Sequence, residues 1–357
     1  MDGTGRIVNS YLLGEEQAMK TSIRIILILI LMFGFSMLSD AGLAHAKAKY
    51  KITFGHVEPI HSSTHEAALT FKEIVEEESG GEIEVFIHPS SELGSGPDQG
   101  QMTQTGAIQV AILPGAHIGG IFPEIQALEI PFLLPQDIDK AAEVLNGPAG
   151  QKLMSYMEKV DLKGLVIYPL SFKQFTSNKP IRRPDDFKGL KWRTMAAPII
   201  MESYKLLGAS PVSINYHELY TALQLGTAEG QENPFWSIGE MKFYEVQEYI
   251  TLSNHAAFIS TMIVNKKWFE GLRADIQGII TKAAKATIPV AIESDKKIDH
   301  EWYERIKKDP GTTIIELTPE SVHAFKEKLR PLRDIYIKMV GESGREVIKA
   351  FDAALAK

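Results

Sequence analysis

Cysteine is absent from the 357 residues, which removes disulfide frameworks, thiolate metal sites, cysteine nucleophiles and the lipidated cysteine of a surface lipoprotein together. Positive charge is scarce as well. The 38 Lys and Arg stand against 45 Asp and Glu, a formal net charge of -7, which is the wrong sign for a surface that neutralises nucleic-acid phosphates. An acidic total does not exclude an anionic ligand, because capture depends on the local field inside a cleft. No G-x-S-x-G elbow, H-E-x-x-H, P-loop or G-x-G-x-x-G occurs, so the commonest local signatures of hydrolases, zinc peptidases and nucleotide-binding enzymes are missing. Gly94-Ser95-Gly96 is a near miss without the strand-to-helix context. Paired carboxylates catalyse from any sequence spacing, so a secreted enzyme acting on a small organic anion stays open as an alternative. So does a ligand-sensing protein, although a second membrane segment or a cytoplasmic module is not seen before Lys357.

What is present is an ordinary globular composition, 44% hydrophobic and 23% charged, on a chain long enough for two lobes of usual size. Near the start, Lys20 and Arg24 precede an apolar stretch from Ile25 to Leu38, and small residues then lead to Ala44-His45-Ala46. Residues 19–46 therefore read as a cleavable secretory signal peptide. A spanning anchor needs about 20 apolar residues, and Gly34, Ser36, Ser39 and Asp40 dilute this one. Residues 1–18 are polar and read as an extension ahead of a true start at Met19. Export without disulfide or lipid points to the periplasm.

From Lys49 onward strand-like and helix-like segments alternate in the manner of an α/β protein. Lys51–His56 reads as a strand, followed by an amphipathic helix capped at Thr64, carrying Ala67, Ala68, Phe71, Ile74 and Val75 and stopped at Gly80-Gly81. Ile83, Val85 and Ile87 then alternate with Glu82, Glu84 and Phe86 as a half-buried strand, so the opening is β-α-β and parallel. Residues 107–113 and 164–170 are short apolar runs suited to the middle of a sheet. A second α/β series follows: a strand at 189–194, a helix at 199–207, a strand at 212–214 and a helix at 218–226. Ala257–Asn265 reads as a long strand, and helices cover 273–308 and 319–355, with Pro289 and Pro331 expected to bend or interrupt them. Two such lobes form a cleft, a usual place for a small-molecule site.

The central third carries Ser171-Phe172-Lys173-Gln174-Phe175-Thr176-Ser177-Asn178-Lys179-Pro180 and Pro184-Asp185-Asp186-Phe187-Lys188-Gly189-Leu190-Lys191-Trp192-Arg193. Further on come Glu218-Leu219-Tyr220-Thr221-Ala222-Leu223-Gln224 and Glu229-Gly230-Gln231-Glu232-Asn233-Pro234. With Pro131-Phe132-Leu133 and Asn254-His255, this resembles the solute-binding subunits of tripartite ATP-independent periplasmic (TRAP) transporters, the DctP family, from about Tyr50 to the C-terminus. The resemblance implies an α/β, two-lobed periplasmic binding protein fold with hinge strands and a long helix spanning both lobes. It divides the chain into lobe I, 47–170 plus 259–298, and lobe II, 171–258 plus 299–357. It implies a monomer with no cofactor and no catalysis that binds a small organic anion and meets the TRAP membrane permease subunits, and no nucleic acid.

Arg193 stands at the arginine of the family motif, and its planar fork suits a carboxylate. A surface ion pair is the plain alternative on spacing alone. The resemblance makes Asn233 a second ligand contact, its amide offering donors without charge, although a turn asparagine before Pro234 is common. Lys173 falls where many members carry another arginine; as a ligand contact it gives charge without the fork, and otherwise it is a solvated lysine at the lobe boundary. Tyr216 takes the place of an aromatic that faces the ligand, against ordinary packing, and Trp236 either walls the cleft or packs in the core. Trp192, next to Arg193 on a strand, points the other way and belongs to the core. His61 and His65 have helical spacing but no third partner, so no metal is expected, and Glu76-Glu77-Glu78 reads as a solvated helix end. Relatives that take sialic acid carry polar or acidic residues where Val57, Gly96 and Pro114 stand here, which disfavours that ligand. A C4-dicarboxylate, a keto or hydroxy acid, an aromatic acid and a short sulfonate all stay open.

Overall fold

Ile52 and Phe54 alternate inward along β1 (Tyr50–His56) and are fully buried, which fixes one face of the first sheet. The structure, a computed structural model, describes residues 48–356; the expected extension 1–18 and leader 19–46 lie outside them. β1 is followed by helix Ser63–Glu78, whose cap is Ser62 rather than Thr64: the Ser62 side chain accepts from the His65 amide, and Thr64 is buried inside the first turn. Gly80 and Gly81, at φ +60° and +80°, stop the helix in the left-handed region that glycine adopts without strain. β2 (Ile83–His88) then pairs parallel to β1, as the alternation implied.

The first sheet has the order β2-β1-β3-β10-β4, with β3 at Val110–Pro114, β4 at Leu162–Phe172 and β10 at Ala257–Asn265. β3 begins later than the apolar run suggests, because Gly106, at φ +84°, ends helix Gly96–Thr105 and the chain must turn before pairing. β10 runs antiparallel between β3 and β4 and is buried along its whole length, as a central strand must be. The second sheet has the order β11-β9-β5-β8-β6-β7. Its strands are β5 (Gln174–Ser177), β6 (Lys191–Thr194), β7 (Ser210–Ser213), β8 (Gly230–Asn233), β9 (Tyr249–Leu252) and β11 (Thr313–Glu316).

The chain crosses between the sheets at Lys173, joining β4 to β5, and at residues 253–256, joining β9 to β10. The two crossings are tied together by the Lys173 amide donating to the Ala256 carbonyl at 2.8 Å. Helix Ala274–Ile306 runs 33 residues without interruption at Pro289, about 50 Å at the usual rise. It packs on helix Ser63–Glu78 and β4 at the first sheet and on helix Phe235–Glu240 at the second. The C-terminal stretch is three helices, Pro319–Leu329, Leu332–Val340 and Glu342–Leu355, the first break falling at Pro331. Within residues 299–357, helix Pro319–Leu329 packs on Pro198–Leu207 and helix Glu342–Leu355 on Pro148–Ser155, so this stretch touches both halves. Among the described residues no helix is long and apolar enough to cross a membrane.

Candidate ligand-binding site

Parallel strands deliver their carboxyl ends to one place, and in α/β proteins that place is where ligands bind. Here β1 and β3 of the first sheet end at a cavity that β6 and β8 of the second sheet reach from the other side. Val57, Glu58, Pro114, His117 and Phe258 line it from the first half, and Arg193, Met195, Tyr216, Asn233 and Trp236 from the second. An outer recess continues from it past Gly94, Ser95 and Gly96 and has a volume of about 210 Å³. The inner part has only about 10 Å³, the space of about one water molecule. At the rim His217 Nε2 donates to the Val57 carbonyl at 3.2 Å, closing one half on the other.

The strand alternation at β6 separates two roles. Trp192 is fully buried and packs its ring on Phe187 and Tyr204 in the core, as expected; Arg193 points the other way, to the cavity. Arg193 is 2% exposed. Its Nε donates to the Ile214 carbonyl at 2.9 Å, and among the described residues its two terminal nitrogens find no hydrogen-bond partner or ion pair. Burial pulls its pKa down to about 10, with Glu232 and Tyr216 acting in the opposite direction; it stays a cation at neutral pH. Asn233, at the end of β8, gives one N–H to Gln231 Oε1 and keeps the other. The Tyr216 hydroxyl bonds Ser237 Oγ at 2.9 Å, and burial raises its pKa. The Trp236 ring meets Phe258 edge to face, and its indole Nε1 is buried with no partner.

Four of the five sequence-derived site residues thus share one cavity; Lys173 does not join them. Its ammonium, 2% exposed, bonds Glu129 at 2.7 Å and Glu232 at 3.0 Å. Burial acts to lower its pKa, but the attraction of the two carboxylates prevails and raises it. Glu232 is held further by His255 Nε2 at 2.7 Å and by the Tyr204 hydroxyl. Burial alone would raise the Glu232 carboxyl; Lys173, His255 and Tyr204 together keep it well below the usual carboxylate range. Lys173 is therefore the internal cation of a buried network at the crossing between the sheets, neither a solvated lysine nor a residue of the Arg193 cavity.

Sequence reasoning missed two cavity groups. Glu58 is 2% exposed and its Oε2 has no hydrogen-bond partner, the buried His56 Nδ1 lying 3.9 Å away. Burial raises its carboxyl to about 7, against the lowering effect of the Glu58 and Val57 amides. His117 Nδ1 is likewise buried without a partner, and burial together with Arg193 lowers the imidazole to about 3, so it is neutral. The imidazole fits because position 96 has no side chain: a Cβ on Gly96 would lie 1.8 Å from His117 Nδ1. Val57, Gly96 and Pro114, which the resemblance singled out as selecting against sialic acid, all line the cavity or its outer recess. Among the described residues no group of His, Asp and Glu is placed to hold a metal.

Residues 54–339 match the family described as bacterial extracellular solute-binding protein, family 7, DctP. The chain is 34% identical to the ectoine-binding periplasmic protein TeaA of Halomonas elongata, over 81% of this chain and 85% of that one. It is 32% identical to the C4-dicarboxylate-binding periplasmic protein DctP of Rhodobacter capsulatus, over 86% and 91%. A crystal structure of a TRAP periplasmic solute binding protein from Desulfovibrio salexigens, with bound orotic acid, superposes with a TM-score of 0.83 at 34% identity, covering 86% of this chain and 99% of that one.

Proposed function

The chain belongs to the DctP family of bacterial extracellular solute-binding proteins, and on that premise we propose that it is the periplasmic binding subunit of a TRAP transporter. It captures a small organic acid in the cavity between its two lobes and delivers it unchanged to a membrane permease. It is a binding protein and not an enzyme. The observation that carries the site assignment is Arg193: a guanidinium on a side chain only 2% exposed, whose terminal nitrogens meet no acceptor among the described residues, beside an asparagine with a spare N–H. A carboxylate is the ligand group that completes both. Two parallel charge-assisted bonds from the fork fix its plane, the Asn233 amide adds a third, and Tyr216 and Trp236 pack its carbon skeleton.

Ectoine, C4-dicarboxylates and orotate, the ligands named for the relatives, have a carboxylate in common and little else. That supports a conserved anion clamp with a variable remainder of the cavity. Residues 19–46 serve as the cleaved export signal, and the mature protein acts as a monomer.

The test is a thermal-shift panel of organic acids: C4-dicarboxylates, keto and hydroxy acids, ectoine, orotate, sugar acids and short sulfonates. An acid present at about 100-fold its dissociation constant adds about 2.7 kcal/mol of stability by mass action. At least one carboxylate should stabilise the protein and be recovered unchanged; stabilisation by none, or turnover of the bound acid, contradicts the reading.

A further inference from the structure

Pro131-Phe132-Leu133 and Asn254-His255, two segments of the sequence pattern, take no part in the Arg193 cavity, yet the fold brings them together. Ile130 to Leu133 form a β-turn closed by the Leu133 amide donating to the Ile130 carbonyl at 3.2 Å, with Pro131 second and Phe132, at φ +61°, third. That is a type II turn, whose third position calls for Gly or Asn. Of the six non-glycine residues at positive φ among the described residues, Phe132 alone has a large apolar side chain, and such a residue is strained there. What holds it is its own amide, which donates to the His255 carbonyl at 2.7 Å, in the second crossing between the sheets. That crossing is fastened in turn to the first. Gln174 Oε1 accepts from the Ser253 amide at 2.9 Å and the Asn254 amide at 3.2 Å, and Gln174 Nε2 donates to Asn254 Oδ1 at 2.7 Å. Asn254 is also left-handed, at φ +42°, which asparagine tolerates.

We infer that the turn Ile130 to Leu133 is a peptide-flip latch, type II and bonded to His255 while the halves are closed, and type I when they part. The strain at Phe132 is then borne by the closed form alone and helps the molecule reopen to release its acid. This rests on the capture reading above, in which the halves separate to admit the acid, and adds a spring to that motion. The two turn types differ by about half a turn of the peptide between Pro131 and Phe132, which reverses the Phe132 N–H. Only type II aims it at His255. Pro131 suits both types, whereas Phe132 is at ease only in type I, so the bond to His255 decides which one forms. The turn belongs to the first half and His255 to a crossing about which the halves move, so separation pulls the two ends of that bond apart. Backbone strain persists where its surroundings enforce it, and a bound acid must offset it to keep the molecule shut.

The experiment compares Phe132→Gly with Phe132→Ala. Both lose the ring, and only alanine resists a positive φ. In calorimetric titration with ectoine, orotate and succinate, any acid that wild type binds should bind Phe132→Gly about 5- to 30-fold more tightly than Phe132→Ala, the left-handed penalty expressed as affinity. Phe132→Asn, which keeps a side chain and tolerates the left-handed region, should side with glycine and stands in for it if Phe132→Gly does not fold. Affinities of the glycine and alanine variants within about twofold of each other overturn the inference, because strain shared by both forms changes stability and not binding. If none of the three acids binds wild type, the capture reading fails for those acids and the latch is decided without ligand. The chain has no cysteine, so Glu92→Cys with Glu218→Cys puts two spin labels at exposed positions on either side of the outer recess. Phe132→Gly should then show a larger share of the short distance than Phe132→Ala; equal shares overturn the latch.

Discussion

A guanidinium removed from water with a single backbone acceptor, as Arg193 is, makes the empty protein less stable than a neutral side chain there would, because desolvation is not offset until a ligand arrives. Lys173 is in the opposite position: it neutralises two buried carboxylates, and its loss leaves both uncompensated. In thermal denaturation without ligand, Arg193→Ala should therefore melt at or above the wild-type temperature. Lys173→Met should lose about 3–5 kcal/mol. The reverse order would mean that Arg193 is a structural ion pair. Sequence pattern was enough to bring Arg193, Asn233, Tyr216 and Trp236 to one cavity, because they sit at strand ends or just beyond and the motif fixes their order. It was not enough for Lys173, whose partners Glu129 and Glu232 lie 44 and 59 positions away. Glu58 was invisible for a related reason: it follows β1 in a turn, and its burial is decided by chain segments far away in sequence.

Helix Ala274–Ile306 carries its own polar joint between the halves. Asp295 accepts from the Ser171 amide at 2.7 Å, from the Ser171 hydroxyl and from Ser63 at 3.3 Å; Asp299, one turn on, accepts from the Trp236 amide at 2.9 Å. Ser171 closes β4 and Trp236 lies in a helix of the second half, so one helix face pins both sides of the cleft. Burial raises Asp295 to about 6, and burial with the neighbouring Asp295 charge raises Asp299 to about 7. A carboxyl whose folded pKa lies above its unfolded value contributes stability at low pH that is lost as pH rises through the folded pKa. Asp299→Asn keeps an acceptor for the Trp236 amide without the charge. Its stability relative to wild type should thus rise between about pH 4 and 7 and level off above, by on the order of 2 kcal/mol for a side chain that is partly exposed. Denaturant melts of both proteins at pH 5, 6, 7 and 8 measure this; a difference independent of pH would mean that Asp299 is not held protonated. The helix and β10 were legible from periodicity and length. The true cap at Ser62 and the late start of β3 were not, because hydrogen-bond geometry and a positive-φ glycine decide them locally.

Two sheets are joined by two crossings and one long helix, and we propose that the lobes, assigned to the two sheets and their covering helices, open and shut about the crossings. The inner cavity, at about 10 Å³, has no room for an organic acid, so a ligand seated there rather than in the outer recess enters with the halves apart or the walls displaced. A ligand favours one conformer only through contacts that differ between conformers, and an acid held by Arg193 on one side and Val57, Glu58 or His117 on the other has them. Small-angle scattering should show a smaller radius of gyration at ligand saturation than without ligand; identical profiles would contradict closure. The central claim, that Arg193 carries the charge recognition for which the rest of the molecule is arranged, is tested most directly by calorimetric titration of wild type and Arg193→Ala with the acid that gives the largest thermal shift. Removing one partner of a closed, hydrogen-bonded charge pair costs about 2–5 kcal/mol, so the variant should bind roughly 30-fold to several thousandfold more weakly. Binding within about threefold of wild type, less than ~0.7 kcal/mol, would contradict the account.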